Sequence, residues 1–263
     1  MKISTWNVNS INARLSHLLD WLTKKKPDVV LLQELKCTSE AFPYEQIEDL
    51  GYNIEVHGQK TYNGVAILSK FPLSDVIKDF PLNPIPDEAR YIEALVNLPN
   101  LAIRIASVYV PNGQDLSSDK YQTKLKFFDS LKKYYMELVS SEEMIIIGGD
   151  FNVAHSDIDS YDPKAINESI CFSTKEREAL RKFLATGLID IYRMLNQKIQ
   201  GFTWWDYRGN SYNRNHGLRI DYLFSSPEVA QVSKECYESK EWREKDKPSD
   251  HIPVTLKLDL KTE

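Results

Sequence analysis

The stretch from Met144 to His155 reads MIIIGGDFNVAH. Its apolar start, Met144–Ile147, predicts a buried strand, because short apolar runs bounded by glycine are typical of strands inside a sheet. The two glycines that follow would let the backbone pass close to a neighbour and expose the next side chain. That side chain is Asp150, and Asn152 would share its side of an extended chain, because successive side chains alternate. The stretch therefore predicts a buried strand that delivers a carboxylate and an amide to one place.

Strands and helices are predicted along the rest of the chain. Further strand-like runs are Lys2–Val8, Val29–Leu32, Gly64–Leu68, Tyr91–Val96, Ala102–Val110, Arg219–Phe224 and Pro253–Leu260. Apolar stripes predict one helix around Leu15–Leu22, capped by Asn9 or Ser10, a second around Leu125–Leu138, and a third from the capping box at Ser173 to Gly187. Strands alternate with helices in the first third and pair as hairpins later. This mixture favours an α/β layered fold with mixed sheets.

The bulk composition is that of a soluble globular protein. The chain has 263 residues, 42% of them hydrophobic and 27% charged, and no linker or repeat, so we expect a single domain over residues 1–263. No apolar run approaches the ~20 residues that span a bilayer, and the N-terminus lacks the layout of a signal peptide. Three widely spaced cysteines argue against a disulfide framework or a thiolate zinc site and favour a reducing cytoplasm. The net charge of −5 argues mildly against a protein that coats nucleic acid, but not against an enzyme with a carboxylate site.

Several strands are followed or preceded by polar side chains. They are Asn7, Glu34, Tyr109, Asn112, Asp150, Asn152, Asp221, Asp250 and His251. Strand ends meet in a crevice at the sheet edge of layered α/β folds, so we expect one polar pocket. Carboxylate and amide oxygens without clustered cysteine or paired histidine suit Mg²⁺, with Mn²⁺ as a substitute. A metal ion, a base and neutral donors around a phosphate would make a phosphodiester-hydrolysis site.

The order of these motifs resembles one known family. The motifs are Trp6-Asn7-Val8-Asn9, Gln33-Glu34-Leu35-Lys36-Cys37, Tyr109-Val110-Pro111-Asn112, Gly149-Asp150-Phe151-Asn152-Val153, Leu218-Arg219-Ile220-Asp221-Tyr222 and Ser249-Asp250-His251. They are similar to those of the exonuclease III family of abasic-site (AP) endonucleases, within the endonuclease/exonuclease/phosphatase superfamily. The resemblance implies a four-layer α/β sandwich, in which two mixed sheets pack face to face with helices outside. It also implies Mg²⁺-dependent cleavage of DNA 5′ to an abasic site, with 3′-phosphodiesterase and 3′-to-5′ exonuclease as further activities.

The resemblance also implies roles for individual residues. The implied metal site comprises Asn7, Glu34, Asp150, Asn152, Asp250 and His251, with Glu34 as the main ligand. The implied catalytic set is Tyr109, Asp150, Asn152, Asp221 and His251. Asp150 would orient or deprotonate the attacking water, while His251, held by Asp221, would donate to a phosphate oxygen. Asn112, Trp204 and Leu218 would contact the substrate. The expected partner is double-stranded DNA with abasic sites or blocked 3′ ends, bound by a monomer with no membrane association.

Other residues have competing interpretations. Leu218 stands where some relatives carry a tryptophan beside the abasic sugar, which leaves Trp204 as the candidate wall, although core packing explains Trp204 and Trp205 equally well. Lysines of the second helix, Lys124 among them, are expected on a solvated surface. The arginines Arg208, Arg214 and Arg219 are expected to contact the DNA backbone or to be surface residues. The histidines His17, His57, His155 and His216 are expected to be surface or structural residues.

Two other functions compete with an AP endonuclease. One is a phosphodiesterase or phosphatase of the same superfamily that acts on inositol phosphates or lipids, which would share Glu34, Asp150 and His251. The other is a non-catalytic scaffold that binds nucleic acid. The Trp204-Trp205 segment and the lysine-rich helix Ser117–Val139 favour DNA over the first alternative, and the complete polar set argues against the second.

Overall fold

Two six-stranded sheets form the centre of the protein. The computed structural model describes residues 1–141 and 144–260. The first sheet has the order β11-β12-β1-β2-β4-β3, and the second has the order β5-β6-β7-β8-β10-β9. The strands are β1 (Lys2–Asn7), β2 (Val29–Gln33), β3 (Asn53–His57), β4 (Val65–Ser69), β5 (Leu73–Ile77), β6 (Tyr91–Asn97), β7 (Ala102–Tyr109), β8 (Ile145–Asp150), β9 (Ile189–Asp190), β10 (Asp221–Ser225), β11 (Ser233–Glu238) and β12 (Val254–Leu258). Among the described strands, each sheet has one parallel pair, β1 with β2 and β7 with β8, so both sheets are mixed as expected.

Helices flank the sheets. They are α1 (Ile11–Lys25), α2 (Tyr44–Glu48), α3 (Asp119–Ser140), α4 (Thr174–Leu184), α5 (Ile191–Leu195) and α6 (Pro227–Gln231). The side chain of Ser10 accepts a hydrogen bond from Ala13 N and caps α1. At α4, Ser173 and Glu176 form the capping box that the sequence predicted. The three helices predicted from apolar stripes are therefore confirmed as α1, α3 and α4. No helix among the described residues is long and apolar enough to cross a bilayer.

The core has three levels, which define four layers. Between the sheets, Leu31 and Ile67 of the first sheet pack with Ile105 and Ile146 of the second. Outside the first sheet, α1 covers the strands through residues such as Trp21. Outside the second sheet, buried side chains of α3 and α4 pack against β8 and β10 (Phe128, Leu131, Leu180, Phe183, Ile147 and Phe224). The four-layer α/β sandwich is confirmed.

Two glycines in β8 let the strand run through the centre of this packing. A Cβ atom on Gly148 would lie 2.6 Å from Leu223 of the same sheet and 2.8 Å from Leu31 of the facing sheet. A Cβ atom on Gly149 would lie 1.9 Å from the carbonyl oxygen of Val108 on the neighbouring strand. The glycines therefore allow close backbone approach, as predicted, and the strand continues past the predicted end at Ile147 to Asp150.

The strands that sequence patterns missed are those at the sheet edges. The eight predicted strands are the inner ones, and the four unpredicted strands, β3, β5, β9 and β11, occupy the outer positions of the two sheets. Their residues are mostly exposed or half-buried. Edge strands carry polar side chains because they meet water along one side. They therefore lack the apolar runs by which the inner strands were recognised.

Candidate active site

Strand register aligns three of the expected site residues in one row. Tyr109 at the end of β7 pairs with Asp150 at the end of β8, and Asp150 pairs with Asp221 at the start of β10. Residues that pair across neighbouring strands point to the same face of a sheet. The second sheet thus presents a phenol, a carboxylate and a second carboxylate side by side at its edge.

The first sheet adds an amide and a further carboxylate opposite this row. Asn7 ends β1 and pairs with Gln33, which directly precedes Glu34. The amide nitrogen of Asn7 donates to Glu34 Oε1 at 2.8 Å and to Asp150 Oδ2 at 3.0 Å, so it bridges the two sheets. Its oxygen accepts from the backbone N–H of Asn9 at 3.0 Å. In this arrangement Asn7 faces the carboxylates with its donor group and holds them together.

His251 lies between two of the carboxylates. Its Nδ1–H donates to Asp221 Oδ2 at 2.9 Å, and its Nε2 lies 3.6 Å from Asp150 Oδ2. The second oxygen of Asp221, Oδ1, is buried and has no hydrogen-bond partner among the described residues. Burial alone would lower the pKa of His251, but the charges of Asp221 and Asp150 outweigh it and raise the pKa. The two carboxylates therefore favour the doubly protonated ring, with Nδ1 bound to Asp221 and Nε2 directed towards Asp150.

The donor set fits a hard divalent cation. One ligand atom each of Glu34, Asp150 and His251 lies within 4.8 Å of the others. Burial raises the pKa of the Asp150 carboxyl; the His251 cation lowers it, and the negative charges of Asp221 and Glu34 raise it further. A cation bound between the carboxylates would relieve this repulsion, and carboxylate oxygen is the ligand type that Mg²⁺ prefers. A doubly protonated His251 cannot serve as a ligand, so the two roles expected for this residue exclude each other.

Asp250 stands beside the cluster with both of its oxygens engaged. Its Oδ1 accepts from Asn9 Nδ2 at 2.9 Å, and its Oδ2 accepts from the indole N–H of Trp204 at 3.0 Å. Asn9 in turn accepts from Lys36, whose ammonium group also lies 2.9 Å from Glu34 Oε2. Asp250 is thereby fixed next to the carboxylate cluster by the wall of the cleft.

A turn, rather than an extended chain, brings Asn152 to the site. Its φ of 52° is left-handed, a conformation that asparagine tolerates better than most residues. Its backbone N–H donates to Asp150 Oδ1 at 2.9 Å, and its Oδ1 accepts from Asn112 Nδ2 at 3.0 Å. Asp150 and Asn152 therefore do share the site, but the expectation that alternation along a strand places them there is wrong.

A buried lysine that the sequence placed on a solvated surface supports this turn. The side chain of Lys124 is fully buried and forms an ion pair with the equally buried Glu176. Its ammonium group also donates to the backbone oxygens of Asn112 at 3.0 Å and Asn152 at 2.7 Å. All three protons of the ammonium group thus have an acceptor. The expected surface position of Lys124 is wrong. The apolar stripe of α3 does not indicate that Glu176, on another helix, accepts from the lysine.

Replacing Lys124 should loosen the turn and destabilise the fold. We expect Lys124→Met to lower the free energy of unfolding by about 3 kcal/mol, because it leaves Glu176 buried without a cation. Denaturant titration measures this change, and kcat should fall as well. Lys126→Met, on the exposed side of the same helix, is the matched control. An unfolding free energy equal to that of the control would contradict the assigned contacts.

Tyr109 lies against Arg90 at the side of the cluster. The guanidinium carbon of Arg90 is 4.7 Å from the centre of the phenol ring. Burial raises the pKa of Tyr109 well above its usual range, and the charges of Glu34 and Asp150 act in the same direction. The phenol is therefore a neutral hydrogen-bond donor at physiological pH rather than a phenolate.

One cleft of about 620 Å³ is lined by Glu34, Tyr109, Asp150, Asn152, Asp250 and His251. All three expected substrate residues, Asn112, Trp204 and Leu218, lie in its wall. Trp204 and Leu218 pair as neighbouring extended segments, and Ile220 adds a further apolar side chain. Trp205, in contrast, is 1% exposed and belongs to the core. The structure thus places Trp204, the candidate named from the sequence, in the wall of the cleft, and Trp205 in the core.

Arg219 was expected to contact DNA or to lie on the surface, but it is buried. The side chain of Arg219 is 1% exposed and forms ion pairs with Asp159 and Asp190, each at 2.7 Å. Arg208 is 90% exposed at the mouth of the cleft and pairs with Asp206. The expectation for Arg219 is wrong, because its two carboxylate partners come from segments far away in the chain.

Comparisons with known proteins agree with this geometry. The model of the endonuclease/exonuclease/phosphatase family matches residues 4–251. Exodeoxyribonuclease III of Haemophilus influenzae is 33% identical over 97% of this chain and 98% of its own length. Among solved structures, the 3′-5′ exonuclease NExo of Neisseria meningitidis is 38% identical with a TM-score of 0.93, over 99% of this chain and 100% of that one. An AP endonuclease of Archaeoglobus fulgidus is 33% identical with a TM-score of 0.91, over 99% of this chain and 100% of that one. The chain belongs to the endonuclease/exonuclease/phosphatase family.

Proposed function

We propose that this protein is a metal-dependent DNA-repair nuclease that hydrolyses the phosphodiester 5′ to abasic sites in duplex DNA. The observation that carries the proposal is the cleft, in which a cluster of carboxylates, amides, a phenol and an imidazolium adjoins an apolar wall. Relatives named as exodeoxyribonuclease III, 3′-5′ exonuclease and AP endonuclease cover almost the whole chain. Removal of blocking groups from 3′ ends is a second activity of the same site, because it too is the hydrolysis of a phosphate ester of DNA.

We assign the metal site to Glu34 and Asp150. These residues would hold Mg²⁺, or Mn²⁺ in its place, and Asp250 and Asn152 would support them from the side. When bound, the ion supplies Lewis-acid stabilisation of charge on the phosphate. Asp150, whose carboxyl pKa is raised by burial, would also orient a water molecule and accept its proton.

We assign the remaining groups to the phosphate. His251 donates to a phosphate oxygen from Nε2 and stays protonated because Asp221 holds Nδ1. Tyr109 donates from its neutral hydroxyl. Asn152 and Asn112, linked at 3.0 Å, present amides on the other side. Together these donors would stabilise the charge that develops on the phosphate in the transition state.

We assign the apolar wall to the abasic sugar. Trp204, Leu218 and Ile220 line one side of the cleft with apolar surface. A sugar without a base is small enough to fit against this wall. A normal nucleotide must first be unstacked from the duplex, at a cost of a few kcal/mol. This wall favours damaged DNA over an inositol phosphate, whose hydroxyl groups would lie against apolar side chains without hydrogen-bond partners.

We further propose that the protein acts as a monomer in the cytoplasm. The cysteines Cys37, Cys171 and Cys236 are buried and free, which fits a reducing compartment.

A cleavage assay tests the proposal. A labelled duplex with a single abasic site is incubated with and without Mg²⁺, and the products are separated on a gel. We expect a Mg²⁺-dependent cut 5′ to the site, and release of the blocking group from a parallel duplex with a 3′-phosphate. Cleavage of a phosphoinositide but of neither duplex would overturn the assignment to DNA.

The tryptophan wall should control discrimination more than metal binding. We expect Trp204→Ala to lower the ratio of kcat/KM on abasic over intact duplex by about tenfold, because one aromatic surface contributes ~1–3 kcal/mol. Trp204→Phe is the matched control, since it keeps a ring but removes the indole donor to Asp250. An unchanged ratio for Trp204→Ala at fixed salt would mean that another side chain forms the wall.

A further inference from the structure

An aromatic pair extends the wall of the cleft towards solvent. The rings of Tyr161 and His216 lie 4.4 Å apart at an angle of 9°, and both line the cleft. Nothing in the roles assigned above uses this pair.

The backbone holds the pair next to the proposed sugar wall. Ser160 bridges Leu218, which in turn bridges Trp204, so three extended segments lie side by side. The N–H of Tyr161 donates to the carbonyl oxygen of Gly217 at 3.1 Å. Tyr161 therefore lies beside the residue that precedes Leu218, and His216 precedes Leu218 by two residues. The pair is therefore the continuation of the wall that contacts the abasic sugar.

The two rings form an inner and an outer layer. Tyr161 is half-buried and packs against two apolar clusters, one around Leu218 and one around Trp205. His216 is exposed and covers Tyr161. Within the described part of the chain, neither the Tyr161 hydroxyl nor the His216 ring has a hydrogen-bond or ion-pair partner. The packed ring of Tyr161 thus supports the ring of His216 at the cleft. No polar contact among the described residues accounts for the position of the His216 ring.

We propose that the Tyr161–His216 pair is a stacking platform for the nucleobase adjacent to the abasic residue. Flat aromatic surfaces bind nucleobases of any sequence, because every base has a π-face. The abasic nucleotide in the inner pocket has no base, but its neighbour is only one nucleotide away, a step of about 3.4 Å along the axis of a regular duplex. The platform would hold that neighbour and so place the scissile phosphate on the catalytic groups. This inference rests on the proposed function of the same site.

A two-by-two comparison tests the platform. The wild-type protein and His216→Ala are each assayed on a duplex with one abasic site, and on duplexes that also lack the base on the 5′ or the 3′ side. We expect removal of the neighbouring base on one side to lower wild-type kcat/KM by about fivefold or more, a small factor for one stacked base. His216→Ala should lose a similar factor on the first duplex and lose little more when that base is removed. His216→Phe keeps a flat ring and should behave like the wild type.

The outcomes separate the platform from the proposed function. Equal losses for His216→Ala on all duplexes, or no loss on any of them, would overturn the platform and leave the nuclease assignment intact. A wild-type protein that cleaves no abasic duplex would overturn both. Because His216 is exposed, its replacement should leave the fold in place, and an unchanged melting temperature checks this.

Discussion

Glu34→Gln should lower kcat on an abasic duplex by on the order of 10³-fold at limiting Mg²⁺, because the variant loses the negative charge that holds the cation. The glutamine keeps an oxygen of similar reach and can still accept from Asn7, so the local packing should persist. Excess Mg²⁺ should restore part of the activity, because weaker binding is offset by mass action. EDTA should abolish the activity of the wild-type protein, and added Mg²⁺ should restore it.

The measurement is kcat as a function of Mg²⁺ concentration for the wild type, Glu34→Gln and a control. Glu137→Gln serves as the control, because Glu137 is an exposed glutamate on α3. The control should follow the wild-type curve. Full activity of Glu34→Gln at limiting Mg²⁺ would show that the cation is held elsewhere.

Asp221→Asn should lower kcat by about 10²- to 10³-fold and shift its pH dependence. The carboxylate of Asp221 raises the pKa of His251, so the wild-type imidazolium persists as the pH rises above neutrality. An asparagine removes that charge and lowers the pKa. If the protonated ring donates to the phosphate, the loss of activity on the alkaline side should move to lower pH in the variant. The orientation of the ring also depends on this hydrogen bond of 2.9 Å.

The measurement is a pH profile of kcat at saturating Mg²⁺. Asp129→Asn, an exposed carboxylate on α3, is the control and should show the wild-type profile. The amide oxygen introduced by Asp221→Asn would still accept from the Nδ1–H of His251. A shift in the pH profile therefore measures the loss of the negative charge of Asp221 rather than the loss of the hydrogen bond. Identical profiles for the wild type and Asp221→Asn across the neutral and alkaline range would refute the pairing as the source of the protonated ring.

The inner frame of the fold follows from local patterns in the sequence. Most residues of the inner strands are buried, and in β2, β4 and β8 this burial is accompanied by apolar runs such as Met144–Ile147. Helices α1 and α4 carry one apolar stripe and a side-chain cap, both of which are short-range signals. Edge strands such as β3 and β11 lack these signals, because one side meets solvent and their pairing partner alone makes them strands.

The residue types of the candidate site also follow from the sequence. Polar residues at strand ends, in a fixed order along the chain, were sufficient to name Glu34, Asp150 and Asp221 as neighbours. The structure brings them together through strand register, which places Asp150 between Tyr109 and Asp221. Register is determined by which side chains each strand buries, so the sequence contains it only implicitly.

The sequence by itself determined the inner strands, the capped helices and the list of polar groups, whereas only the tertiary structure decided which charged and aromatic residues are buried. The sequence predicted Lys124 and Arg219 to be surface cations, but both are buried. Their carboxylate partners, Glu176 and Asp159, come from segments remote in sequence. Adjacent tryptophans were likewise separated into a core residue and a wall residue. The physical reason is that a charge or a ring is buried when its partners are present, and those partners are long-range contacts that local periodicity does not encode.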